Sequence, residues 1–273
     1  MRTSEELKNL VKKKYGQVAE SGSSCCGTEC GCIDDVNFIG DDYKQVDGYY
    51  AEADLGLGCG LPTELARISE GDIVVDLGSG AGNDSFVARS LTGPHGKIIG
   101  IDFTPEMIEK ARNNADKLGF KNIHFIEADI EKTPLSQNTA DVVISNCVLN
   151  LVPNKKTAFA EVFRILKPGG HFSISDVVIK GILPAKLQES AEMYAGCVAG
   201  AITMDEYLEQ LKSAGFKNIE VQKEHKINIP ADLIKGYLTP EEVDSFNKGE
   251  LGIFSITVYG EKPAECCDSN CCN

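Results

Sequence analysis

The sequence lacks a run of about 18 apolar residues, the length that a helix needs to span a bilayer, although 42% of its 273 residues are hydrophobic. The first residues, MRTSEELKNLVKKKYG, are charged and amphipathic and lack the apolar core of a secretory signal. We therefore expect a cytoplasmic protein with no membrane partner.

Positive charge is also scarce. The chain has 27 Lys and Arg against 41 Asp and Glu, so its net charge is −14. A nucleic acid would be repelled by such a body instead of releasing counterions to lysines and arginines, which disfavours a nucleic-acid partner. An acidic protein of this kind is suited to a neutral or cationic small ligand.

Cysteine, in contrast, is abundant, with 11 residues. Disulfide scaffolds are typical of small secreted proteins, whereas this chain is long enough to bury a large core. Thiols in a reduced compartment instead favour soft-metal or metalloid chemistry. Two clusters and three single positions hold the cysteines: SSCCGTECGC (Cys25, Cys26, Cys30, Cys32), CCDSNCC (Cys266, Cys267, Cys271, Cys272), and Cys59, Cys147 and Cys197.

Strands and helices are predicted to alternate through the middle of the chain. Residues 4–19 fit a helix, 21–32 a loop and 33–70 a helical cap. Near-continuous apolar runs then predict five strands, at 72–78, 97–103, 122–130, DVVISN and 171–178, separated by helices such as TPEMIEKARNNADKLG and KKTAFAEVFRIL, the latter ending at KPGG. Strands of this kind form parallel sheets covered on both faces, so we predict a doubly wound α/β fold.

The alternation breaks after Val178. An insertion-like helical stretch at 181–204 and the helix MDEYLEQLKSAG are followed by two strand candidates, NIEVQKEH and FSITVYGEKP, which would complete a mostly parallel, seven-stranded sheet. We expect four regions: an N-terminal helix with a Cys-rich loop at 1–49, a core at 50–180, a C-terminal substrate-binding region at 181–262 and a Cys-rich flexible tail at 263–273.

A glycine loop, DLGSGAG, follows the first predicted strand in the form D-x-G-x-G-x-G. Glycine lets a ligand approach the backbone closely, although such a loop can also be only a tight turn. Asp102 and Asp129 fall at the ends of the next two predicted strands. Together with Asp76 they would form a carboxylate-lined crevice at the edge where open α/β sheets bind ligands. That crevice suits an amine, a ribose and a positive charge better than a pyrophosphate.

DLGSGAGND, GIDFTPEMI, EADIEKTPL and ILKPGG, in this order, resemble the motifs of class I S-adenosylmethionine-dependent methyltransferases, which are Rossmann-like. The resemblance implies a core that binds S-adenosylmethionine. It also implies contacts with the methionine part, the ribose and the adenine from Asp76, Gly78, Ser79, Gly80, Asp102, Met107, Asp129, Ile130 and Asn146. Met107 reads equally well as a core residue of its helix.

The three single cysteines lie in GCGLP, SNCVLNLVP and GCVAGA, which look like the arsenic-binding segments of the arsenite S-adenosylmethionine methyltransferases. The resemblance implies that Cys59, Cys147 and Cys197 hold trivalent arsenic as thiolates and act as the catalytic residues. A cysteine on its own is more often a small buried hydrophobe.

The implied chemistry agrees with the small number of histidines in the sequence. Trivalent arsenic bound to three sulfurs keeps a lone pair that can attack a methyl group directly, so no general base has to remove a proton. The sequence has four histidines, and none is placed like such a base: His95 falls in a turn, and His124, His171 and His225 fall in predicted strands.

The expected reaction is methyl transfer to arsenite and methylarsenite, with a thiol reductant, glutathione or thioredoxin, as co-substrate. The resemblance also implies a disulfide relay partner for Cys59, for which Cys25 and Cys26 are equal choices. The tail either captures arsenite or is a loose thiol segment. Two other functions stay open: a quinone- or sterol-type C-methyltransferase, and a metalloid-binding or sensing protein without turnover.

Overall fold

The computed structural model describes residues 3–21, 43–182, 200–227 and 239–264. They form a seven-stranded sheet in the order β3-β2-β1-β4-β5-β7-β6. Strands β1 to β5 pair in parallel, and β7 runs antiparallel to both β5 and β6. The prediction of a doubly wound, mostly parallel seven-stranded sheet is therefore confirmed. The strands are β1 Ile73–Leu77, β2 Lys97–Asp102, β3 Ile123–Glu127, β4 Ala140–Asn146, β5 Leu166–Lys180, β6 Lys217–Lys226 and β7 Gly252–Glu261.

Seven α-helices surround this sheet within the described residues. They are α1 Ser4–Ser21, α2 Pro62–Leu65, α3 Asn83–Thr92, α4 Pro105–Leu118, α5 Lys155–Ile165, α6 Met204–Ser213 and α7 Pro240–Lys248. Local chemistry sets their ends: Asn154 and Thr203 accept backbone hydrogen bonds at the starts of α5 and α6, and Gly119 ends α4 in a left-handed conformation. No described helix is both long and apolar enough to cross a bilayer.

Two hydrophobic cores lie on opposite faces of the sheet. One packs α5 and α6 against it, through residues such as Phe159, Tyr207 and Phe172. The other packs α1, α3 and α4, through residues such as Val18, Phe86 and Ile108. Burial on both faces explains why the parallel strands read as continuous apolar runs.

Three local expectations differ from the structure. Between residues 43 and 70, helix occurs only at Tyr43–Gln45 and Pro62–Leu65, because glycines such as Gly48 and Gly56 adopt positive φ angles between these turns. KPGG does not separate α5 from a later strand, since β5 begins directly at Leu166. The helix α7 was not predicted, although its Thr239–Glu242 capping box and its terminal Gly249 are standard signals.

Candidate active site

One cavity lies where β1, β2 and β4 end, at the carboxyl edge of the parallel strands. Its walls come from α1, the segment before α2, the glycine loop, the start of α4 and the segment after β4. The predicted residues that line it are Gly78, Ser79, Gly80, Asp102, Met107, Asp129, Ile130, Asn146 and Cys147. Residues separated by as many as 69 positions in sequence therefore meet at one sheet edge, as expected for an open α/β sheet.

The glycine loop turns sharply over the neighbouring strand. The backbone N–H groups of Gly78 and Ser79 both donate to the carbonyl of Ile101, at 2.7 and 3.0 Å. Gly78 has a φ of +75°, and a Cβ placed there would lie 2.1 Å from Val148 Cγ2. Gly80 has a φ of +51°, and a Cβ there would meet no atom within 4 Å. The loop therefore needs glycine at position 78 because of the packing there, whereas the space beside Gly80 is open.

Asp102 ends β2 with its carboxylate already held in place. Its two oxygens accept from the backbone N–H groups of Gly80 and Thr104, at 3.0 and 2.8 Å. Burial raises the pKa of Asp102, and these backbone bonds oppose that rise. A carboxylate has further lone pairs, so Asp102 can still accept bonds from a ligand's hydroxyl groups.

Asp129 lies two residues beyond β3, not at its end as predicted, because β3 stops at Glu127. The break coincides with a hydrogen bond from Ala128 N–H to the carbonyl of Asp102. Asp129 nevertheless lines the cavity, and Lys8 Nζ donates to its carboxylate at 2.5 Å. Lys8 also forms an ion pair with Glu131, so α1 closes this side of the cavity. The sequence predicted helix α1 but not this role.

Met107 is a core residue of its helix that also reaches the cavity. It is 1% exposed and belongs to the core that packs α4 on the sheet, and it also lines the cavity. Asp76, in contrast, is not among the lining residues. It lies beneath the glycine loop, where Ser85 Oγ donates to its carboxylate at 2.6 Å. Burial, followed by the charge of Asp84, raises the pKa of Asp76.

Cys147 directly follows β4 and lines the cavity. Its φ is +60°, a left-handed conformation that is uncommon for a residue with a side chain. Its N–H donates to the carbonyl of Ser175, and its side chain is buried in one cluster with Cys59. The structure therefore brings together the two described cysteines of the predicted set.

Cys59 is held from two directions. Its N–H donates to Asn146 Oδ1 at 2.9 Å, and its carbonyl accepts from Ser255 Oγ on β7. Its Sγ lies 3.7 Å from Asn146 Oδ1. Asn146 is the residue before Cys147, and it thus fixes the position of Cys59.

Two further residues of the cavity, Tyr43 and Asp84, were missed by sequence reasoning. Asp84 Oδ1 accepts from Tyr43 Oη at 2.8 Å, and Asp84 Oδ2 accepts from Asn146 Nδ2 at 3.0 Å. Burial raises the pKa of Asp84, while the bonds from Asn146 and Tyr43 oppose that rise. Burial and the charge of Asp84 raise the pKa of Tyr43 well above its usual value. Asp84 follows the glycine loop directly, which was the available signal, whereas nothing in the sequence marks Tyr43.

A second buried polar group lies behind the cysteines. Asp176 on β5 accepts from Tyr207 Oη at 3.3 Å, and burial raises its pKa to about 7 against the opposing charge of Lys155. Lys155 Nζ donates to the carbonyl of Gly200 at 2.6 Å, and Ala201 packs in the cluster that contains Cys59 and Cys147. Gly200 and Ala201 therefore lie near the two cysteines.

Several predicted residues lie outside the described ranges. These are Cys197, the choice between Cys25 and Cys26, and the cysteines of the tail. Within the described ranges, no group of three or more His, Cys, Asp or Glu side chains is arranged to hold a metal ion. The cavity lining of the same ranges contains no histidine.

The described residues fit S-adenosylmethionine in two respects. Ser79 Oγ and Asn83 Oδ1 are buried without a hydrogen-bond partner in the described structure, although both residues line the cavity. Buried polar atoms normally have partners, so these atoms are available to a ligand. The lining also includes Asp54, Asp84, Asp102 and Asp129 against a single lysine, Lys8, which favours a ligand that carries positive charge.

Comparison with protein families identifies the core of the chain. A family model described as a methyltransferase domain matches residues 68–226. An arsenite methyltransferase of Halobacterium salinarum is 38% identical over 96% of this chain and 68% of its own length. An arsenite methyltransferase of Homo sapiens is 32% identical over 77% of this chain, which spans 58% of that protein.

A solved structure agrees with these relatives. It is an arsenic(III) S-adenosylmethionine methyltransferase from Chlamydomonas reinhardtii, with 33% sequence identity and a TM-score of 0.64. The match covers 76% of this chain and 68% of that one.

Proposed function

This chain belongs to the arsenite methyltransferase family of S-adenosylmethionine-dependent enzymes, and from that premise we propose that it transfers a methyl group from S-adenosylmethionine to trivalent arsenic held by cysteine thiolates. The observation that carries the proposal is the position of Cys147. It lines the cofactor cavity in a strained left-handed conformation and shares a buried cluster with Cys59. Strain of this kind persists where the surrounding structure holds a functional residue in place.

When bound, S-adenosylmethionine supplies an electrophilic methyl group on a positively charged sulfur. Asp102 would accept from the ribose hydroxyls, and the open backbone at Gly80 would admit the methionine part. Met107 and Ile130 would pack against the adenine, and Asp129 lies on the same wall. Asn146 lies between this cavity and Cys59.

The proposed arsenic ligands are Cys59, Cys147 and Cys197. Cys197 precedes Gly200 by three residues in the sequence. Gly200 is fixed by Lys155, and Ala201 packs with both described cysteines. Soft thiolates select a soft, thiophilic centre, and three of them suit trivalent arsenic.

The protons balance without a general base. Three thiols displace three hydroxyl groups from arsenite, and each thiol proton leaves in a water molecule. The arsenic lone pair then forms the new bond to carbon while the bond from carbon to sulfur breaks. The residues of the chain contribute by fixing the nucleophile in line with the methyl group and by excluding water from a buried site.

Methyl transfer oxidises arsenic formally by two electrons, so a turnover needs a thiol reductant. We propose that two protein thiols supply these electrons and form a disulfide, with Cys25 or Cys26 as the partner of Cys59. Glutathione or thioredoxin would then reduce that disulfide. Because the ligands must be reduced thiols, we place the protein in the cytoplasm.

The decisive experiment is incubation with arsenite, S-adenosylmethionine and glutathione or thioredoxin, followed by arsenic speciation. We expect methylated arsenicals from the wild-type chain and none from Cys197→Ser. Cys59→Ser should still methylate methylarsenite, because two protein thiols suffice for an arsenic atom that already carries one methyl group. Arsenite binding without methylation would instead favour a sequestering or sensing protein.

A further inference from the structure

Asp84 is a buried carboxylate that the proposed reaction leaves without a role. It is 9% exposed, lies in the first turn of α3 and lines the cofactor cavity. Both of its hydrogen-bond donors, Tyr43 and Asn146, are neutral. Its ionisable neighbours Asp54 and Asp76 are also acidic, and the ion pairs formed among the described residues do not include Asp84.

Such an arrangement is costly when nothing positive is nearby. Removing a carboxylate from water costs several kcal/mol unless a cation or good hydrogen bonds compensate. The N-terminal end of α3 and the two neutral donors supply part of that compensation. A cationic ligand in the cavity would supply the remainder.

The position of Asp84 identifies which part of the ligand it faces. Asn146 donates to Asp84 with its amide nitrogen and accepts from the Cys59 N–H with its amide oxygen. Cys147 follows Asn146 directly. Asp84 is therefore at the cysteine end of the cavity, and under the proposed function this is the end that the transferable methyl group must reach.

We propose that Asp84 recognises the positive charge of the cofactor's sulfonium and, through Asn146, links its presence to the placement of Cys59. This inference rests on the proposed function for the orientation of the cofactor. It makes Asp84 a specificity-determining residue of the cavity, and Asn146 the positioning residue between the cofactor and the first arsenic ligand.

Two consequences follow from the loss of charge on methyl transfer. The product S-adenosylhomocysteine is a neutral thioether at the same atom, so Asp84 favours the substrate form over the product form. The coupling between two ligands is reciprocal. If the cofactor tightens arsenite binding through this contact, arsenite tightens cofactor binding by the same factor.

Calorimetric titration of Asp84→Asn tests the charge recognition without arsenic. The variant is isosteric: Asn can accept from Asn146 and donate to Tyr43 Oη, whose hydrogen can turn to the Gly60 carbonyl at 2.9 Å. The probes are S-adenosylmethionine, sinefungin, which carries a protonated amine in place of the sulfonium, and S-adenosylhomocysteine. We expect about tenfold weaker binding of the two charged probes and less than about twofold for the neutral one.

Tyr43→Phe is the control, because it removes a neutral donor to Asp84 and an acceptor of Asn146 but keeps the carboxylate and its bond with Asn146. It should preserve the preference for the charged probes. An equal loss for all three probes in Asp84→Asn would overturn the proposal, since a purely structural role predicts that result. No loss for any probe, or an equal change of preference in Tyr43→Phe, would overturn it as well.

The link to Cys59 is tested by titrating arsenite in the presence of sinefungin, which has no methyl group to transfer. In the wild-type chain sinefungin should tighten arsenite binding several-fold, S-adenosylhomocysteine should not, and Asp84→Asn should abolish the difference. No effect of sinefungin on arsenite binding by the wild-type chain would overturn the link. A wild-type chain that binds no arsenite would contradict the proposed function itself, and the probe titration would still decide the charge recognition.

Discussion

The turns after β1 and β4 both begin with a residue of positive φ, but the residue types differ. These strands are parallel neighbours in the sheet, and each is followed directly by a left-handed residue: Gly78, with φ +75°, after β1 and Cys147, with φ +60°, after β4. Glycine adopts this conformation at no steric cost, whereas another residue pays about 1–2 kcal/mol. The turn after β1, called the cofactor turn below, is therefore unstrained at Gly78. The turn after β4, called the cysteine turn, is strained at Cys147.

The two turns also pack against each other. A Cβ on Gly78 would lie 2.1 Å from Val148 Cγ2, and Val148 is the residue after Cys147. Glycine in the cofactor turn therefore makes room for the segment that carries the cysteine. Under the proposed function, the strain at Cys147 is retained for its sulfur and not for the backbone, because the adjacent strand is followed by an unstrained glycine.

The hydrogen bonds of the two regions differ as well. The cofactor turn is held by backbone groups of the neighbouring strand, through Gly78, Ser79 and Ile101. The cysteine turn also has one bond of this kind, from Cys147 N–H to the carbonyl of Ser175 on β5. In addition, side chains from distant parts of the chain hold Cys59, where Asn146 and Ser255 bond its backbone.

The largest expected effect comes from removing the sulfur. Cys147→Ser should lower arsenite methylation at least about 1,000-fold, or about 4 kcal/mol of transition-state stabilisation, because the substrate loses one of its ligands. Binding of S-adenosylmethionine, measured by titration calorimetry, should change little. Full activity of this variant by arsenic speciation would reject Cys147 as an arsenic ligand.

The second effect is on the packing of the two turns. Gly78→Ala combines a positive φ with a clash against Val148, so we expect about 3 kcal/mol of lost stability in urea unfolding and impaired cofactor binding. The control is Gly56→Ala, with φ +64° and no atom within 4 Å of the new Cβ, which should cost only about 1 kcal/mol. Equal losses in the two variants would show that packing between the turns contributes nothing.

The third effect concerns the buried carboxylate behind the cysteines. Burial raises the pKa of Asp176 to about 7, so the folded chain holds a proton that the unfolded chain releases above about pH 4. Asp176 therefore stabilises the fold less as the pH rises from about 4 to 7, by at most about 1.4 kcal/mol per pH unit. Asp176→Asn should flatten the pH dependence of urea unfolding by that amount. The exposed Asp116→Asn is the control, and an unchanged slope in Asp176→Asn would contradict the assignment.

The smallest effect isolates the strain at Cys147. Both Cys147→Gly and Cys147→Ala remove the sulfur, but only glycine relieves the left-handed backbone. We expect the Gly variant to be more stable than the Ala variant by about 1 kcal/mol. At an ordinary position the order is reversed, because glycine there destabilises the protein relative to alanine. A clearly more stable Ala variant in urea unfolding would mean that the turn relaxes and stores no strain.

Much of the architecture was readable from the chain. Apolar runs located the five parallel strands, and the strand candidates NIEVQKEH and FSITVYGEKP coincide with β6 and β7. The misses have local causes: β3 ends before Asp129, and glycines keep most of 43–61 out of helix. Helix α7 had readable signals in Thr239, Glu242 and Gly249 that were not used.

The candidate site was readable only in part. Asp102, the glycine loop and Cys147 follow strands, so their place at the sheet edge follows from topology. Tyr43 and Asp84 were missed, because their role depends on side chains that meet from separate segments. Asp76 occurs in the same motif as Gly78, but it lies beneath the loop instead of lining the cavity, because its carboxylate accepts a hydrogen bond from Ser85 in α3.

The sequence by itself determined the order of the strands along the chain, the glycine turn and the acid that ends β2, because these depend on local periodicity and on residue types with few conformational choices. Only the tertiary structure decided which polar groups share the cavity. It placed Asn146 between Asp84 and Cys59 and put Val148, the residue after the strained Cys147, against the glycine turn, because contacts between residues far apart in sequence form only when the whole sheet is assembled.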